Sequence, residues 1–260
     1  MSHGLQIQSS YTWSKLIDET QAQLGSEDIS ASVFGTDPTH REVDRAPSVF
    51  DIRQNWRLNA IYQLPGIDSG GGILAKAFNG WWLSGIWSLQ SGYPFTPALN
   101  SNRSRSGVLG IQGGGGVIDR PDLVPGRSND NIVSGTTRGC LGVAPGRQLG
   151  TPDLYFDPCA FTIPAAGFLG TAGRSILRGP SLANLDFSLV KDTAIKYFGE
   201  SGKLEFRAEF FNILNHANFS LPNRLVFAAR QDVETPLSNV GRINSADTSR
   251  QIQFALKVLF

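Results

Sequence analysis

The run Gln251-Ile252-Gln253-Phe254-Ala255-Leu256-Lys257-Val258-Leu259-Phe260 decides the fold. Successive side chains of a strand point to opposite faces. Ile252, Phe254, Leu256, Val258 and Phe260 therefore share one face, against Gln251, Gln253, Ala255, Lys257 and Leu259. Its length and single apolar face match a strand that crosses a bilayer in about 9–11 residues.

The alternation recurs upstream. Leu5, Ile7, Ser9, Tyr11 and Trp13 alternate with Gln6, Gln8, Ser10 and Thr12. Trp56, Leu58, Ala60, Tyr62 and Leu64 alternate with Arg57, Asn59, Ile61 and Gln63, and Trp81, Leu83, Gly85, Trp87 and Leu89 with Trp82, Ser84, Ile86, Ser88 and Gln90. Leu185, Phe187 and Leu189 interleave with Asn184, Asp186 and Ser188. Leu204, Phe206, Ala208 and Phe210 interleave with Glu205, Arg207, Glu209 and Phe211. This makes six predicted strands. The fifth also fits a helical wheel through Leu204, Arg207, Phe211 and Leu214, and no Gly or Pro between 203 and 220 forbids a helix there. Three charges on one strand face favour the strand.

The links between these segments sort by parity. Residues 66–79 and 192–202 form short links; 16–52, 92–182 and 216–248 are long and rich in Gly, Pro, Asn and Ser. Outer-membrane barrels alternate in this way, with short periplasmic turns and long extracellular loops. If Phe260 lies at the periplasmic side, all three long links fall outside. Tyr11, Trp13, Trp56, Trp81, Trp82, Tyr93 and Phe95 cluster near strand ends, as interface girdles require.

Composition agrees. Of 260 residues, 17% are charged and 40% hydrophobic, with 29 Gly, 14 Pro and a net charge of +1. That balance offers no electrostatic case for nucleic acid. No apolar run is long enough for a membrane helix, and residues 1–7 lack the pattern of a secretory signal. Export therefore implies either a removed signal or an N-terminal part outside this sequence. Six strands are also too few, since bacterial single-chain barrels begin at about eight and open sheet edges are not tolerated in lipid. The expected fold is all-β: an antiparallel transmembrane β-barrel segment of about six strands, incomplete as a barrel.

Several motifs now point to a family. Gly173-Arg174-Ser175-Ile176-Leu177-Arg178-Gly179-Pro180 and the following Leu182-Ala183-Asn184-Leu185-Asp186-Phe187-Ser188-Leu189 resemble the late barrel of TonB-dependent receptors. The closer resemblance is to the Oar-like subgroup, which carries an N-terminal carboxypeptidase-regulatory-like domain. The same holds for the run from Leu204-Glu205-Phe206-Arg207 through Phe211-Asn212-Ile213-Leu214-Asn215-His216-Ala217-Asn218-Phe219. Phe50-Asp51-Ile52-Arg53, Gln90-Ser91-Gly92-Tyr93-Pro94-Phe95-Thr96 and Arg120-Pro121-Asp122 are similar too, as is the terminal Phe260. The resemblance spans nearly the whole chain. It implies a barrel of about 22 strands, a plug and a TonB box. Residues 1–260 then form the C-terminal portion, with the plug and N-terminal barrel strands absent. Expected partners are outer-membrane lipid, the rest of the barrel and its plug, the TonB complex through that absent region, the barrel-assembly machinery and an imported ligand.

Candidate chemistry is sparse. Cys140 and Cys159 lie in one long link; a disulfide is expected in an oxidising compartment, two separate thiols otherwise. His3, His40 and His216 are scattered, without metal-ligand spacing. The glycine run at 113–116 lacks a following Lys-Ser/Thr and reads as a loop. Asp153 and Asp157 offer paired carboxylates for calcium or acid–base work, although Asp-Pro turns explain them equally well. No catalytic residue, cofactor or metal site is expected. Glu205, Arg207 and Glu209 are expected to face the lumen, as a salt-bridge ladder or in contact with the plug. Phe260 serves as an assembly signal, as part of the aromatic girdle, or as both. The expected function is energised import of a large or scarce solute, with the loops recognising it. The alternative is a surface-exposed adhesion or glycan-binding module; a hydrolase rests only on the scattered carboxylates.

Overall fold

The computed structural model describes residues 4–19, 37, 39–67, 72–106, 119–195 and 202–260. Six long strands dominate: β1 Leu5–Trp13, β2 Gln54–Gln63, β3 Trp81–Gln90, β4 Leu182–Ala194, β5 Lys203–Phe211 and β6 Gln251–Leu259. They form one antiparallel sheet in sequence order, each strand pairing with the next. β1 and β6 are its two free edges, so the sheet is an open wall. The segment that also fits a helical wheel is strand β5. β4 runs beyond the predicted alternation at both ends, because Leu182 and Ala183 still pair with Gln90 and Leu89 and Ala194 with Lys203.

Register does what alternation within one strand cannot: it aligns the apolar sets across strands. Ile7, Ala60, Gly85, Phe187, Phe210 and Ile252 lie in one continuous row. The next row runs Leu5, Tyr62, Leu83, Leu189, Ala208, Phe254. A slip of one residue at any pair would turn polar side chains onto this face. The face is held by cross-strand aromatic pairs: Trp56–Trp87 at 6.0 Å, Phe187–Phe210 at 6.2 Å and Phe206–Phe254 at 6.3 Å between ring centroids. Ser9 breaks the apolar pattern, and its hydroxyl accepts the indole N–H of Trp56 at 2.8 Å. Ile7, Phe254 and Leu256 remain 60%, 67% and 67% exposed, a surface that water does not favour and hydrocarbon does.

The long links all leave one end of the sheet, and the second and third of them share a separate core. Phe95, Leu99, Ile132, Phe156, Phe161, Leu177 and Val226 are almost wholly buried together. Burying each such side chain stabilises by about 1.5–3 kcal/mol. Short strand pairs knit the links: Pro94–Phe95 with Leu177–Arg178, and Ala98–Leu99 in parallel with Leu225–Phe227. Gly92 stands where links enter this layer, and a Cβ there would lie 1.9 Å from the Gly179 carbonyl oxygen. Only glycine fits.

Candidate functional site

The second face of the sheet is polar. Gln6, Ser84, Ser188, Glu209 and Gln253 share one of its rows, and Ser10, Arg57, Ser88 and Asn184 another. Glu205, Arg207 and Glu209 stand on it in an ion ladder. Arg207 reaches Glu205 at 2.9 Å and Glu209 at 3.0 Å, and Lys203 reaches Asp192 at 3.0 Å and Glu205 at 3.6 Å. The Arg207 guanidinium also lies 5.7 Å over the ring of Trp82, two strands away. The ladder therefore cross-links β3, β4 and β5 while leaving its carboxylates partly open to the space in front of the face.

At the long-link end this face opens into a groove. One cavity of about 490 Å³ is bounded by Tyr93, Ser181, Asn218, Phe219, Ser245 and Asp247. A second, of about 540 Å³, shares Leu182, Asn218 and Asp247 with it and adds Arg57, Asn184, Asp186 and Gln251. The groove thus offers amides, hydroxyls, both signs of charge and three aromatic rings, Tyr93, Phe211 and Phe219. Its floor is preorganised. Asn184 donates to Asp186 at 2.8 Å, and the Asp186 carboxylate also accepts the Asn212 N–H at 2.9 Å. Asn212 closes β5 at a φ of +50°, a conformation Asn tolerates better than most residues. Its side chain accepts from the His216 N–H and donates to the His216 carbonyl, at 3.0 and 2.9 Å. Asn218 accepts the Ala183 N–H at 2.9 Å and so ties the return loop to β4.

The layer above the groove is held by charge pairs. Arg120, Arg174 and Arg178 of the second long link pair with Asp44, Asp18 and Asp51 of the first. Arg174 further donates to the carbonyls of Asp44 and Asp18, at 2.7 and 2.6 Å. Burial pushes the Arg120 guanidinium below its ordinary value, and the neighbouring Asp44 carboxylate works against that shift. Within the second link, Arg127 pairs with Asp157, both closed to solvent.

The predicted site residues are distributed as follows. Cys140 and Cys159 form a disulfide, with Cα atoms 5.5 Å apart. Asp157 is fully buried, and besides Arg127 it accepts the Cys159 N–H at 3.1 Å, whereas Asp153 sits exposed in a turn. These two do not converge as an acid–base pair; Asp157 is a packing residue. The His40 ring meets Glu42 at 3.1 Å on the surface, and His216 bonds Asn212 through its backbone and Asn218 through its ring Nδ1, at 3.2 Å. His3 and the glycine run at 113–116 lie outside the described residues. Phe260 follows β6 at the short-link end, 91% exposed. Alternation marks Asn184 and Asp186 as polar-face residues, but Tyr93, Asn218 and Asp247 reach the groove through tertiary folding and carry no local signal.

A family model described as an outer membrane beta barrel domain matches residues 1–253. Neither a curated protein nor a solved structure matches the chain.

Proposed function

The chain belongs to the outer membrane beta barrel domain family, and on that footing we propose that it is part of a TonB-dependent receptor of the Oar-like kind. It contributes barrel wall and the outward ligand-recognition surface for energised import of a large or scarce solute. It carries out no catalysis. The observation that supports this reading best is the pairing of one apolar face with one polar face that opens, at the long-link end, into a hydrogen-bonding groove. Two free edges, β1 and β6, cannot stand in lipid with their backbone groups unpaired. They pair with further strands of the same barrel. The polar face then looks inward, where Glu205 and Glu209 meet the plug, and the short links lie in the periplasm. Phe260, exposed beyond the last strand, is the residue offered to the barrel-assembly machinery. Coupling to the TonB complex runs through the plug region, and the groove residues Arg57, Asn184 and Asp247 meet the ligand.

Uptake of labelled glycans, peptides and ferric chelates tests this. A strain lacking the gene and a strain lacking the energy-transducing complex are compared with the wild type. One solute class should lose uptake in both strains. The intact gene should restore it to the first, and an Arg57→Ala/Asp247→Ala variant, displayed at normal levels, should not. Uptake that persists without the energy-transducing complex removes the assignment.

A further inference from the structure

The strand position Lys191 departs from the apolar face that carries it. By register it stands beside Trp81 and Phe206, with Leu256 next along the row. A lysine facing lipid is tolerated near the interface, where its stem lies along apolar surface and its ammonium reaches the polar layer. Here the ammonium turns toward the short-link rim. It donates to the carbonyls of Asn79 and Asp192, the latter at 3.0 Å, and lies 5.8 Å over the Trp81 ring. An ammonium has three donors, so one is left.

Beside it sits the helix Ile73–Phe78. Trp81 docks this helix against the apolar side of the wall, its indole N–H donating to the Ala77 carbonyl at 2.8 Å. Ala75 packs inward, while Ile73, Leu74 and Phe78 are 87%, 64% and 60% exposed. Such a surface has no stable home in water. It is continuous with the lipid-facing wall, and Trp81 and Lys191 are residue types that mark the headgroup level. Between the helix and the end of β4 lies a cavity of about 680 Å³ lined by Ala75, Lys76, Asn79, Lys191, Thr193 and Ile195. The carboxylate of Asp192, which also borders it, is engaged by Lys203 on the opposite face.

The geometry points to a glycerophospholipid headgroup site at this rim: Lys76 and the remaining donor of Lys191 hold the lipid phosphate, and Ile73, Leu74 and Phe78 enter the acyl boundary. Charge selects an anionic headgroup, and the exposed apolar side chains select a lipid over free phosphate. The site requires only that the wall face lipid; it does not depend on the import reading and can fail or hold independently of it.

Native mass spectrometry of the full chain, released from neutral-detergent micelles doped with phosphatidylglycerol or phosphatidylcholine, tests the site. Wild type should retain one phosphatidylglycerol in preference to phosphatidylcholine. Lys76→Gln and Lys191→Gln should each weaken retention about ten- to a hundredfold, in line with loss of one charged hydrogen bond. Lys76→Arg should preserve it, as should Lys257→Gln on the polar face. Heat-dependent gel mobility reports whether each variant is folded; because Lys76 is exposed, its variant remains informative if Lys191→Gln does not fold. Unchanged retention in folded Lys76→Gln overturns the site, as does equal retention of phosphatidylcholine. Displacement of the lipid by inorganic phosphate at matched concentration overturns it as well, since the phosphate would then be recognised without its chains.

Discussion

Arg178 and Asp51 meet at the seam between the sheet and the layer above it, the carboxylate 1% exposed and the guanidinium 22%. The same guanidinium donates to the carbonyls of Asp51 and Gly92, each at 3.1 Å, so one side chain fastens the first long link to the start of the second. Asp51 in turn accepts the Leu16 N–H at 2.6 Å.

Removing one partner of such a buried pair is costlier than removing both, because a desolvated charge is left behind. Arg178→Leu should lower the stability of the long-link layer by about 3 kcal/mol. Asp51→Asn combined with Arg178→Leu should recover part of the loss. Thermal melting together with limited proteolysis of the long links checks both. A single variant no less stable than the double would show that the pair does not hold the seam.

The Cys140–Cys159 bridge closes a separation of 19 residues within that layer. In the chain-entropy description a loop of this size is worth about 3 kcal/mol. Cys140→Ser/Cys159→Ser should therefore lose about that much stability and melt earlier, and reductant should shift the wild type toward the variant without affecting the six-stranded sheet. Equal melting of wild type and variant under oxidising conditions would contradict this.

Phe254 and Gln253 are neighbours with opposite environments. Phe254→Arg places a charge on the apolar face and should destabilise the membrane-inserted chain by about 2–4 kcal/mol. Gln253→Arg, on the polar face beside Glu209, should have little effect. Urea unfolding from lipid vesicles measures the difference, and the reverse order would invert the two faces.

Burial pushes the Tyr155 phenol up to about 12; its hydroxyl donates to the Arg178 carbonyl at 3.0 Å. The folded layer thus holds this proton more tightly than the unfolded chain, whose phenol titrates near 10. Its contribution to stability is complete below about pH 10 and lost as pH rises toward 12. Ultraviolet titration should show one late-ionising tyrosine, absent in Tyr155→Phe, and that variant should lose this part of the alkaline slope.

The wall was legible in the sequence because period-2 patterning is local: each strand announces its own apolar face, and register only aligns what is already there. Even the ambiguous segment at Leu204 resolves this way, since Glu205, Arg207 and Glu209 share a face on a strand, whereas a helix would put Arg207 opposite the other two. The layer built by the long links was not legible. Phe95, Phe156 and Val226 come from distant stretches without periodicity and meet only in the folded chain. The arginines of Gly173-Arg174-Ser175-Ile176-Leu177-Arg178 carry the family resemblance, yet their partners Asp18 and Asp51 lie well over a hundred residues earlier. The separation also explains why Asp157 reads as a candidate acid: nothing nearby in sequence reveals that Arg127 neutralises it.

Because the second and third links rest on one shared core and the first is cross-tied to the second by arginines, the described parts of the three links cannot change length independently. An insertion in one would displace the supports of the others. Descendants of this protein would therefore vary by exchanging side chains at the mouth, around Asn218 and Asp247, and not by grafting whole loops from a relative.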